Sequence, residues 1–168
     1  MAYQLHLIDQ VAKHKPDVVV LTENAYSTLE DKYPRTAVRL DGEEVAKLRE
    51  KARQYNTYIS CSILELDDDG VRHNTAILIN RQGELQNFRR KTHLTIGEVE
   101  VGMPLNDEPL EVWDTDFGKV GVLVCWEHFF PEAVRVLMLQ GMELLLIPTH
   151  GFNMSRAVSR AMDNGIYL

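Results

Sequence analysis

The stretch Val120-Gly-Val-Leu-Val-Cys125-Trp-Glu-His-Phe-Phe-Pro131-Glu-Ala-Val-Arg-Val-Leu-Met-Leu139-Gln-Gly141-Met-Glu-Leu144-Leu-Leu-Ile147 decides the fold class. Residues 120–125, rich in valine, read as a buried strand, and residues 144–147 as a second. Between them Pro131 suits the first turn of a helix, where a missing N–H is harmless, and Gly141 lies just past its end. Strand, helix and strand in so short a span form the unit of an α/β protein. The same stretch places a reactive residue, Cys125, where the strand runs out.

The alternation recurs upstream. Leu5, Ile8, Val11 and Ala12 share one helical face, and Pro16 marks where that helix has ended. Residues 18–21 form an apolar strand that delivers Thr22-Glu23 at its C-terminal end. Asp41 followed by Glu44 matches a capping box, with Val45, Leu48, Ala52 and Tyr55 along one face of the helix it would open. Residues 58–64 read as a strand, and residues 75–79 and 85–88 as a hairpin joined through Arg81-Gln-Gly-Glu84. Residues 94–109, rich in Gly, Pro and acidic side chains, show no period and are expected to form a long loop, a length that often carries function. Downstream, residues 156–163 are helical, Gly165 suits their C-terminus, and residues 166–168 open an apolar strand. The first helix has no strand before it and the last strand is very short, so both ends read as cut. The expected class is α/β with a mixed sheet.

The 168 residues are 45% apolar and 26% charged, which suits one globular domain over residues 1–168 and excludes a disordered or fibrous chain. Acidic side chains outnumber basic ones by 25 to 18, a net charge of −7. That balance argues against gripping nucleic acid or an anionic membrane over a broad surface. The N-terminus lacks the basic start and apolar stretch of a signal peptide, so Cys61 and Cys125 are expected as free thiols in a reducing cytoplasm. His93, His128 and His150 form no short-spaced ligand pair, and no metal or cofactor is expected.

Three residues stand where chemistry could occur. Glu23 ends a strand, at the edge where open α/β sheets bind ligands. Cys125 sits on a strand-to-helix turn, where it would be held rigidly and where backbone N–H groups can face an oxyanion. Lys91, in Phe88-Arg-Arg-Lys91-Thr-His93, could polarise a carbonyl and lower the pKa of a nearby thiol. Singly, each has a plain alternative: a solvated glutamate, an inert buried thiol, a basic surface turn.

Together they fall in order. The runs Pro16-Asp-Val-Val-Val-Leu-Thr-Glu23, Asn74-Thr-Ala-Ile-Leu-Ile-Asn-Arg-Gln-Gly83, Arg89-Arg-Lys91-Thr-His-Leu94, Gly118-Lys-Val-Gly-Val-Leu-Val-Cys-Trp-Glu127 and Phe130-Pro-Glu132 resemble the carbon–nitrogen hydrolase (nitrilase) superfamily. The likeness extends to Ser159-Arg-Ala-Met-Asp-Asn-Gly-Ile-Tyr167. It implies an α-β-β-α sandwich of mixed sheets, incomplete here because the family's domain is longer at both ends, and pairing into homo-oligomers through helices. It assigns Glu23 as general base, Lys91 as electrostatic stabiliser and Cys125 as nucleophile. It also places a supporting glutamate after the lysine, with Glu98 the best match and Glu100 its rival. Trp126 would bind substrate and supply a backbone N–H to the oxyanion. Thr22 stands where the family more often has proline, which loosens the turn before the base. The implied reaction is cofactor-free hydrolysis of a small-molecule C–N bond through a thioester, with an amide or carbamoyl substrate favoured over a nitrile. Two alternatives stay open: a histidine base, His128 or His150, beside Cys125, and a non-catalytic fragment that keeps the triad without closing its pocket.

Overall fold

The computed structural model describes residues 2–26, 36–151 and 153–168. Side-chain alternation along its central strands explains the layering. In β2 (Tyr58–Leu66), Ile59, Cys61 and Ile63 join one core and Tyr58 another; in β3 (Arg72–Ile79), Ile77 and Ile79 divide likewise from Ala76 and Leu78. Strands buried on both faces read as unbroken apolar runs in sequence. Helices α1 (Ala2–Val11) and α2 (Glu43–Tyr55) lay Ile8, Val45, Leu48 and Ala52 on the first face.

The opposite face meets a second sheet: Trp113 of β5 (Trp113–Thr115), Val120 and Val122 of β6 (Gly118–Val122) and Leu146 of β7 (Leu144–Leu146). Beyond it, Leu123 and Leu145 are covered by Ala133, Val134 and Leu137 of α4 (Pro131–Leu139), with α5 (Met154–Asn164) packed alongside. The layers run helix, sheet, sheet, helix. The first sheet has the order β1-β2-β3-β4, where β1 is Val18–Val20 and β4 is Leu85–Arg90. Its β1 runs parallel to β2, and the other pairs are antiparallel. In the second sheet β6 is antiparallel to β5 and parallel to β7. Both sheets are therefore mixed, and the architecture is the expected α-β-β-α sandwich. Helix α4 lies close over β6 because Gly121 has no side chain; a Cβ there would collide with Met142 and crowd Leu137.

Several local expectations need correction. Helix α2 starts behind Gly42, which has no side chain to cap it, and Asp41, one residue earlier, bonds the Arg39 guanidinium at 3.0 Å. Residues 94–109 are not all loop: Thr95 caps a short helix, α3 (Ile96–Glu100), through a complete capping box with Glu98. The strand read over residues 120–125 begins and ends earlier, as β6. Its ladder persists through Leu123 N–H to Leu146 O and Cys125 N–H to Pro148 O, and a 3₁₀ turn (Cys125–Phe129) follows. The final apolar segment makes a single bridge, Tyr167 beside Leu144. Strand β5 has only three residues and escaped the sequence reading. Among the described residues no helix is long and apolar enough to cross a membrane.

Candidate active site

The end of β1 turns sharply at Glu23. Leu21 N–H bonds Ser60 O, and Asn24 N–H bonds the Ser62 hydroxyl, so β2 holds the turn from beneath. Asn24 takes φ 47°, a conformation that asparagine tolerates better than most residues. The Glu23 side chain is thereby buried.

Lys91 arrives from the other side of the same sheet. Pairing of Thr75 with Arg90 in the β3–β4 hairpin sets Asn74 opposite Lys91, and Lys91 N–H donates to Asn74 O at 2.7 Å. The Lys91 Nζ donates to Glu23 Oε1 at 3.0 Å and to both Glu98 oxygens at 2.9 Å. Asn74 Nδ2 donates to Glu23 Oε1 at 2.9 Å and to Glu98 Oε1 at 2.6 Å. One ammonium and one amide thus hold two buried carboxylates together. Glu98 faces this cluster because it is the third residue of α3, and Thr95 N–H and Oγ1 both donate to its Oε2. Glu100, at the end of the same helix, is exposed.

Cys125 comes from the second sheet. It takes φ 46°, a left-handed conformation unusual for a non-glycine residue and familiar at functional turns. Burial, the Glu23 and Lys91 charges and the Thr149 side chain all act on its thiol. Trp126 follows, partly exposed and stacked on Phe129 at 4.8 Å between ring centroids. His128 donates from Nδ1 to the Cys125 carbonyl oxygen, and His150 is exposed. Cys61, fully buried in β2, has its thiol pushed up to about 12 by burial.

Burial works against the Lys91 charge, but Glu23 and Glu98 outweigh it and hold the ammonium above the ordinary lysine value. Burial likewise works against the Glu98 carboxylate, and Lys91, the Thr95 N–H and Asn74 outweigh it, keeping its pKa low. For Cys125 the balance goes the other way: burial and the Glu23 charge raise the thiol above its usual value, while Thr149 and Lys91 offset only part of this. The lysine does lower the thiol pKa, as expected, but burial and the Glu23 charge outweigh it.

Sequence reasoning missed several participants. Asn74 and Thr149 carry no signal of their own; strand register and the close of the second sheet bring them in. Arg89 and Glu127 form a buried ion pair behind the site, with Arg89 Nη1 bonding Glu127 Oε1 at 3.0 Å. Thr95-Ile-Gly-Glu98 was a readable capping signature.

Two mixed sheets between helices, with a cysteine elbow facing a carboxylate–ammonium–carboxylate cluster, place this molecule in the nitrilase-fold class. Residues 3–168 match the carbon–nitrogen hydrolase family, and the chain belongs to it. It is 34% identical over 122 residues to citrullinase from Francisella tularensis subsp. tularensis, a match covering 70% of this chain and 42% of that protein. A nitrilase from Pyrococcus abyssi is 30% identical over 169 residues, covering 96% of this chain and 63% of that protein. The chain thus spans less than two thirds of the length of these relatives. The fold also matches a variant of the amidase from Nesterenkonia sp. AN1 whose active-site cysteine carries acrylamide from a Michael addition. The TM-score is 0.83 at 23% identity, over 98% of this chain and 70% of that one.

Proposed function

We propose that this chain carries the catalytic centre of a cysteine-dependent carbon–nitrogen hydrolase acting on a small amide or carbamoyl compound. The observation that carries the reading is the buried cluster in which Lys91 Nζ donates to both Glu23 and Glu98, with the Glu23 and Lys91 charges acting on the Cys125 thiol. With the thiol pKa raised, a base is needed to remove its proton as attack occurs, and Glu23, whose charge acts on the thiol, is that base. Sulfur bonds to the carbonyl carbon while Glu23 takes the S–H proton. The oxyanion forms between the Lys91 ammonium and the Trp126 backbone N–H. Glu23 then gives its proton to the nitrogen, the C–N bond breaks, and ammonia or an amine leaves behind a thioester. Water attacks the thioester and loses a proton to Glu23; the acid departs, and the proton returns to sulfur. Glu98 holds Lys91 in place, and Trp126 walls the substrate side.

The likeness to citrullinase supports a carbamoyl substrate, and the likeness to an amidase an amide; a nitrile ranks behind both. The Glu23 charge acting on the thiol, together with the turn of His128 toward the Cys125 carbonyl oxygen, favours the carboxylate over a histidine base. A reducing cytoplasm would keep Cys125 available.

The test is ammonia release from short amides, carbamoyl amines and nitriles, with intact-mass detection of an acyl adduct. The expected result is turnover of an amide or carbamoyl compound with an adduct on Cys125, and loss of turnover by at least about a thousandfold in Cys125→Ala. Turnover that survives Cys125→Ala, or a chain inactive on all three classes, would overturn the reading.

A further inference from the structure

Lys91 and Cys125 come from different sheets, and a single buried ion pair is fastened to the chain beside each of them. Arg89, on β4, is almost fully buried, and Glu127, on the turn after Cys125, is completely so. Besides the contact already given, Arg89 Nη2 donates to Glu127 Oε2 at 2.5 Å and to the Val122 carbonyl at 3.1 Å. Glu127 accepts from Val124 N–H at 2.8 Å and from Thr92 N–H at 2.9 Å. The main-chain groups so held flank Cys125 on one side and adjoin Lys91 on the other.

Stability alone is a poor reason for such a pair. Withdrawing two ions from water costs several kcal/mol each, and an apolar pair of similar volume often does as well. A guanidinium fork on a carboxylate supplies direction instead: bonds of set length and angle in several directions at once. Direction matters here because the oxyanion must fit between the Lys91 ammonium and the backbone beside Cys125, where a displacement of about 1 Å can cost roughly a hundredfold in rate.

Resting on the thioester reading, we propose that Arg89 and Glu127 are a positioning pair that sets the separation of Lys91 from Cys125 and thereby the rate of attack. Neither touches the reacting atoms. The pair acts on the chemical step and leaves substrate affinity nearly unchanged.

The test compares kcat and KM on the best amide or carbamoyl substrate in wild type, Glu127→Gln, Arg89→Lys and the double variant Arg89→Met/Glu127→Gln, with circular dichroism and thermal unfolding on each. The double variant leaves no lone charge buried, so its folding is expected to survive. The expected result is a fall in kcat of about 10- to 100-fold with KM within about threefold, in folded protein, and no rescue by Arg89→Lys, whose compact ammonium cannot span both oxygens. Folded variants with wild-type kcat, or full turnover in Arg89→Lys, overturn the proposal. So does unfolding of both Glu127→Gln and the double variant, which would make the pair a prop of the fold. If wild type itself does not turn over, the thioester reading fails first and this proposal falls with it.

Discussion

At the Cys125 sulfur, burial and the Glu23 charge oppose ionisation, and the Lys91 charge favours it more weakly. Ionising the thiol would add a further negative charge to a site that burial already makes hostile to charge. Asn74 matters for the same reason: its amide hydrogens go to the two carboxylates and help Lys91 hold them side by side. The sign of this effect is testable with iodoacetamide, which reacts with the thiolate. Since the thiol pKa lies above its ordinary 9.0, the labelling rate of Cys125 should rise about tenfold per pH unit through neutrality and level off only above pH 9. Glu23→Gln removes the charge that raises the thiol, so it should quicken labelling at pH 7 while abolishing hydrolysis. A rate that levels off below neutrality, or slower labelling in Glu23→Gln, would contradict this account of the site.

Helix α3 shows how much depends on one short element. Five residues cannot sustain a helix alone, so its capping box is what holds it. Thr95 accepts the Glu98 N–H at 3.3 Å and donates back to the Glu98 carboxylate, the oxygen pair that faces Lys91. Thr95→Ala should cost about 1 kcal/mol of stability and lower kcat about tenfold as Glu98 loses its orientation, whereas Thr95→Ser should keep both near wild type. Denaturant unfolding and steady-state kinetics check this, and unchanged kinetics in Thr95→Ala would detach α3 from the site. The same local pattern at Asp41 made no box, because the helix starts one residue later and its N-cap, Gly42, has no side chain. A capping pattern therefore names a possible helix start, and the register of the first turn decides whether it is used.

Over the whole molecule, the sandwich leaves one helical layer with an apolar outer stripe. Met154, Val158 and Met162 recur on one face of α5 and are exposed, and Val136 and Leu139 of α4 are exposed as well. Repeated large apolar side chains on one surface favour association. The chain is expected to self-associate, with light scattering after size exclusion giving a mass that rises with concentration. Replacing Met154 and Met162 by lysine should shift it toward monomer. A wild-type monomer at every concentration would count against the expectation.

What the sequence determined by itself was periodic and local. Apolar runs placed β2, β3, β6 and β7, the i, i+3, i+4 spacing placed α1 and α2, and ordered short runs named the family. These signals survive in one dimension because each depends on residues a turn or a strand apart. Tertiary structure decided the rest. Glu98 and Glu100 are two positions apart in the same acidic segment, and only the docking of α3 turns Glu98 onto Lys91 and leaves Glu100 in water. Asn74 enters through the register of β3 against β4, which a shift of one residue would have reversed to the other face. The raised pKa of the Cys125 thiol follows from burial and from charges delivered by segments distant in the chain, because Coulomb energies depend on separation in space and on the dielectric around each charge.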